Sequence, residues 1–86
     1  MATVLLPRSL LALFPGVERR HAVVGATVDE ILTALDGTVP GLRDRLADGA
    51  RLRPHINVFV DGLPADLSTR VADAAVVHVI PAVSGG

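Results

Sequence analysis

With 86 residues the chain holds one small domain, and its hydrophobic half supplies the apolar core that so short a fold needs. It has no cysteine, so disulfides, thiolate metal sites, iron–sulfur clusters and cysteine nucleophiles are excluded. A net charge of −1 without a basic block, no Trp or Tyr and only two Phe leave little to hold or stack nucleic acid, and the absence of lysine excludes Schiff-base chemistry.

In chain order, Ala2–Leu6 (ATVLL) reads as a short strand that stops at Pro7. Ser9–Phe14 is apolar with no clear period. Pro15-Gly16 then marks a turn before a second strand at Arg20–Val24 (RHAVV). The apolar N-terminal stretch has no basic residues ahead of it and is broken by Pro7-Arg8-Ser9, which argues against a signal peptide. No segment approaches the length of a transmembrane helix, so a cytoplasmic protein without membrane contact is expected.

The main helix follows. Thr27-Val28-Asp29-Glu30 has capping-box spacing, with Thr27 at the N-cap and Glu30 at the third helical position. Val28, Ile31, Leu32 and Leu35 then fall on one helical face, and Gly37 supplies a stop signal. Asp29 and Glu30 are accounted for by the first helical turn, where the dipole favours negative charge, and are not read as an acid–base pair. Pro40–Leu46 predicts a short second helical turn with Leu42 and Leu46 inward, and Asp48–Pro54 a polar loop.

His55–Val60 (HINVFV) alternates strictly, which puts Ile56, Val58 and Val60 on one face and Asn57 and Phe59 on the other. Asp61-Gly62 is a turn signal, Ala65–Ala75 reads as irregular loop, and Val76–Ile80 (VVHVI) is the last strand, closed by Pro81. The apolar character of that strand suits the middle of a sheet. Strands flanking one main helix imply an α+β fold, a mixed sheet of about four to five strands packed on the helix. A β-grasp satisfies this order, with a domain over residues 1–80 and a flexible tail over 81–86.

The tail is Pro81-Ala82-Val83-Ser84-Gly85-Gly86. With glycine usage near 7%, a closing Gly-Gly arises by chance in roughly one chain in two hundred. Lacking Cβ atoms, such a backbone threads a narrow channel that other residues would block. The carboxylate of a terminal glycine is also the least hindered available for conversion to an acyl-adenylate and then, with a sulfur nucleophile, to a thiocarboxylate. Ser84 has no base in sequence reach and is not read as a nucleophile.

The segment Ile56–Gly86 (INVFVDG…VADAAVVHVIPAVSGG) resembles the C-terminal half of the ThiS/MoaD-type sulfur carriers, which are ubiquitin-like β-grasp proteins. The likeness is sharpest at Ile56–Val60, Ala72-Asp73 and Pro81–Gly86, and is greatest to the carrier that serves a bacterial cysteine synthase. Ala74-Ala75 departs from the pattern, because relatives usually carry Gly and an acidic residue in that turn. The resemblance implies that Gly86 carries the sulfur and that Pro81, Ala82, Val83, Ser84 and Gly85 thread into partner active sites. It also implies two partners, a ubiquitin-activating-type adenylyltransferase/sulfurtransferase that uses ATP and a sulfur-acceptor enzyme. The chain itself would be no enzyme and bind no cofactor. The acceptor's pathway stays open between cysteine, molybdopterin, thiamine and secondary metabolism.

Strand alternation adds a second expectation. Leu5, Phe59, Val76, His78 and Ile80 point away from the helix and form a partner-docking patch beside the root of the tail. His21, His55 and His78 lack the spacing of a metal site, so no metal is expected. Two other readings of the chain remain open. One is a ubiquitin-like modifier conjugated through Gly86 to lysines of targets; the other is a β-grasp interaction domain in which Gly-Gly plays no part.

Overall fold

The computed structural model describes residues 1–81. Strand β1 (Ala2–Leu5) is followed by a one-turn helix α1 (Arg8–Leu11) and strand β2 (Arg20–Val23). The main helix α2 (Val28–Thr38) and the short α3 (Leu42–Leu46) come next, then two-residue strands β3 (Ala47–Asp48) and β4 (Arg51–Leu52). Strands β5 (Ile56–Val60), β6 (Leu63–Ala65) and β7 (Val76–Pro81) complete the order.

Five strands form one mixed sheet in the order β2-β1-β7-β5-β6. The last strand is central: β7 runs parallel to β1 and antiparallel to β5. The parallel pairing requires a crossover, and α2 provides it. Val4 on β1, Val58 on β5, and Val77 and Val79 on β7 are buried against Val28, Ile31, Leu32 and Leu35 of α2. Leu42 and Leu46 of α3 close the core, as their spacing predicts. This is the ubiquitin-like β-grasp, an α+β fold.

The start of α2 follows its sequence signal. The Thr27 hydroxyl accepts from the Glu30 N–H at 3.2 Å, and the Glu30 carboxylate in turn accepts from the Ala26 N–H at 3.2 Å, one residue earlier than an ideal capping box. The stop does not. Gly37 lies inside the helix, which continues to Thr38 and ends where the Val39 N–H reaches the Leu35 carbonyl. Val39 is buried, and this contact holds the last turn in place past the glycine.

Between these elements the structure adds detail at two places, overturns the expected loop at Asp48–Pro54, and keeps the expected turn at Asp61-Gly62. Ser9–Phe14 contains most of α1, a single turn too short to show a period, which buries Leu10. The expected Asp48–Pro54 loop contains the arm of a hairpin turned at Gly49, and Leu52 packs on the core. The turn at Asp61-Gly62 is a two-residue hairpin loop into β6, with both residues at positive φ (48° and 84°). This is the type I′ geometry for which Asp-Gly is favoured.

Candidate functional site

The site expected from sequence has two parts, a tail and a sheet face, and β7 joins them. Its last residue, Pro81, pairs with Ile56 at the end of the central ladder, one residue beyond the expected strand end. A proline is tolerated there because it closes the strand. The described chain therefore ends on a strand in the middle of the sheet. Ala82, Val83, Ser84, Gly85 and Gly86 lie outside the described residues.

Residues directly opposite each other across strands share a face. The registers Leu5↔Arg20, Leu5↔His78, Phe59↔His78 and Phe59↔Pro64 thus define one row across the outer face: Arg20, Leu5, His78, Phe59, Pro64. Val76 lies beside Thr3 in the row toward the start of β7, and Ile80 beside Asn57 in the row toward the tail. All five predicted residues share this face. Val76 is 40% exposed and Ile80 37%, while Leu5, Phe59 and His78 are half-buried. By contrast Ile56 and Val60, on the opposite face, pack against the core as their alternation predicts.

Asp61 anchors the start of β7. Its carboxylate accepts from the Val76 N–H at 2.9 Å, and its own N–H donates to the Val76 carbonyl at 2.9 Å. The histidines are far apart in role: the His21 ring meets the Glu18 carbonyl at 2.6 Å, His55 is exposed, and His78 stands in the outer row. Two carboxyls are held below their ordinary value of 3.8, and both serve turns. The Ser68 hydroxyl and then the Ser68 N–H lower Asp66. The hydrogen bond and the charge of the Met1 ammonium lower Asp73.

Comparison with known proteins decides the family. The profile of the ThiS family matches residues 12–86, the greater part of the chain and both glycines of the tail. The chain belongs to the ThiS family. Small archaeal modifier protein 3 of Haloferax volcanii is 34% identical over 65 residues, covering 71% of each chain. CysO of the Amycolatopsis orientalis BexX/CysO complex superposes with a TM-score of 0.90 at 31% identity, over 100% of both chains. Mycobacterium tuberculosis CysO gives 0.86 at 26% identity, over 96% of this chain and 100% of that one. SAMP1 of Haloferax volcanii gives 0.76 at 35% identity, over 99% and 98%. As a ThiS-family member the chain stands among small sulfur-carrier and ubiquitin-like modifier proteins. Among the described residues no helix is long and apolar enough to cross a membrane.

Sequence reasoning did not find the arginines around the end of β7. Arg8 and Arg19 line a notch with His78, Ile80 and Pro81, and Arg45 lines another with Ile56 and Pro81. They come from α1, the approach to β2, and α3. Only the sheet order brings them to one place, so no local pattern signals them.

Proposed function

We propose that this chain is a sulfur-carrier protein whose C-terminal Gly86 carboxylate is activated and exchanged for a thiocarboxylate. A carboxylate oxygen attacks the α-phosphorus of ATP in an activating adenylyltransferase, and pyrophosphate leaves. Hydrosulfide then attacks the acyl carbon and AMP departs with that oxygen, so that one sulfur replaces one oxygen. The thiocarboxylate presents this sulfur to an acceptor enzyme. The observation that carries the reading is the central position of β7, whose last residue, Pro81, borders an exposed apolar face and is followed in the sequence by small residues ending in Gly85-Gly86. Steric freedom at the two glycines suits a narrow active-site channel. The Amycolatopsis orientalis CysO, crystallised with BexX, supports an enzyme partner of the same kind, and the outer face is the surface on which we place it.

The test is the intact mass of the chain after incubation with ATP, sulfide and a ubiquitin-activating-type enzyme. The expected gain equals the replacement of one oxygen by sulfur, mapped to the peptide that ends in Gly86. An unchanged mass, with the same enzyme charging a control carrier, would sink the proposal.

The likeness to Small archaeal modifier protein 3 favours one further reading, conjugation of Gly86 to amines of target proteins. Activation is shared, and only the product separates the two. All eight basic residues are arginine, so the chain offers no lysine on which to build lysine-linked polymers of itself. Under this reading conjugates are single additions to other proteins, visible as higher-mass bands that carry the Gly-Gly remnant on lysine.

A further inference from the structure

The two ends of the sheet differ in charge. β1 and β7 run one way while β2 and β5 run the other, so the ends of β1 and β7 meet the starts of β2 and β5 at one pole. At this pole Arg8 and Arg19 line a notch of about 530 Å³ against Pro81, Arg45 lines a second notch on Pro81, and Arg20 sits opposite Leu5. All four are exposed, and the acidic residues beside them are Glu18 and Asp44. The opposite pole carries Asp61, Asp66 and Asp73 together with Asp29 and Glu30 at the start of α2, and its basic groups are Arg70, the Met1 ammonium on Asp73 and Arg43 on Asp29. Among the described residues the salt bridges are Arg43 with Asp29 and the Met1 ammonium with Asp73, so none of the four arginines at the tail pole is paired. Because the net charge is −1, this is segregation of charge and not a general excess.

Chain length fixes where this pole must go. The five residues after Pro81 reach at most about 16–18 Å when fully extended. While Gly86 occupies an adenylating site, Pro81 is held within that distance of it, and the surrounding arginines meet the mouth of the channel. The tail side chains are uncharged and small, so they contribute little orientation of their own. We infer that Arg8, Arg19, Arg20 and Arg45 form a collar that docks on an acidic rim around the tail channel of the activating enzyme. The inference rests on the carrier reading and assigns the partner's chemistry at that contact. A rim of carboxylates steers the tail into the channel and keeps the guanidinium groups from being desolvated without a counter-charge.

The experiment measures the affinity of the activating enzyme for the chain and its Arg8→Glu, Arg19→Glu and Arg70→Glu variants at about 0.05 M and 0.3 M salt, where the screening length differs more than twofold. The three variants change net charge equally, and Arg70 lies at the opposite pole. Arg8→Glu and Arg19→Glu are expected to weaken binding about fivefold or more at low salt, with the loss shrinking at high salt. Arg70→Glu is expected to stay within about twofold. Equal effects of all three, a salt-independent loss, or collar variants that bind like the parent would overturn the collar. If the parent chain itself gains no sulfur with ATP and sulfide, the carrier reading fails and the collar with it. A charged parent with indifferent collar variants removes the collar alone.

Discussion

Ala74 shows what one residue in the wrong backbone region costs. It has φ 65°, the left-handed conformation, in the turn that leads into β7. The turn is fixed on both sides: the Ala74 N–H donates to the Met1 carbonyl at 3.0 Å, and the Ala75 N–H to the Ala72 carbonyl at 3.1 Å. Placing a Cβ in this region costs about 1–2 kcal/mol, and glycine returns part of that as unfolded-state entropy. Ala74→Gly is therefore expected to stabilise the fold by about 0.5–1 kcal/mol, raising the thermal midpoint by roughly 2–8 °C. A midpoint that falls would mean that the turn is not strained. Asp61, the other non-glycine residue at positive φ among the described residues, is different because its carboxylate also holds the Val76 N–H. Under the proposed function the tail glycines serve the sulfur chemistry and not the fold. Deleting Gly86, or replacing Gly85 by Trp, should abolish sulfur loading and leave the thermal midpoint where it was. Continued loading would rule out the proposed working end.

At the scale of elements, the part of the fold written in local patterns is the part that the sequence makes legible. The Thr27 cap with its Val28, Ile31, Leu32, Leu35 stripe, and the alternation of β5 and β7, depend on near neighbours. Thr27→Ala should cost about 1 kcal/mol, since one N–H of the first turn loses its partner, while Thr27→Ser should cost little. Equilibrium unfolding of both variants checks this, and equal losses would point to packing of the threonine methyl instead. The elements α1, β3, β4 and β6 were not legible, because two to four residues are too few to repeat a pattern, whereas the equally short β1 and β2 are runs of β-type residues set off by Pro7 and Pro15-Gly16. For β6 a signal did exist: Asp61-Gly62 has the chemistry of a tight hairpin, and the return strand is Leu63–Ala65. Gly25 illustrates a constraint that only packing reveals. A Cβ there would sit 3.0 Å from both the Ile31 backbone nitrogen and its Cδ1. Gly25→Ala should therefore destabilise by on the order of 1–3 kcal/mol, despite alanine's easier backbone. An unfolding midpoint no lower than that of the parent would show that α2 moves aside freely.

At the scale of the molecule, the fold divides labour between the two faces of one sheet. The inner face meets α2 and supplies stability through Val4, Val58, Val77 and Val79, all nearly inaccessible to water. The outer face is the side of the sheet turned away from α2. The strand alternation that buries Val77 and Val79 necessarily sends Val76, His78 and Ile80 to the other side, so the outer face was legible as the complement of the core. The arginines at the tail pole were not, since their proximity depends on which strands are neighbours. Phe59 is the residue that separates the two roles. It lies in the outer row between His78 and Pro64 and is absent from the residues packed on the core. If that face serves a partner, Phe59→Asp should weaken binding to the activating or acceptor enzyme about tenfold or more, as loss of a central aromatic anchor does. The same substitution should change unfolding free energy by less than about 1 kcal/mol, because no core contact is lost. Binding by calorimetry and stability by denaturant titration on the same sample decide between the roles. Strong binding with intact stability would leave the outer face without a docking function. A large stability loss would instead make Phe59 part of the core and move the docking surface elsewhere on the molecule.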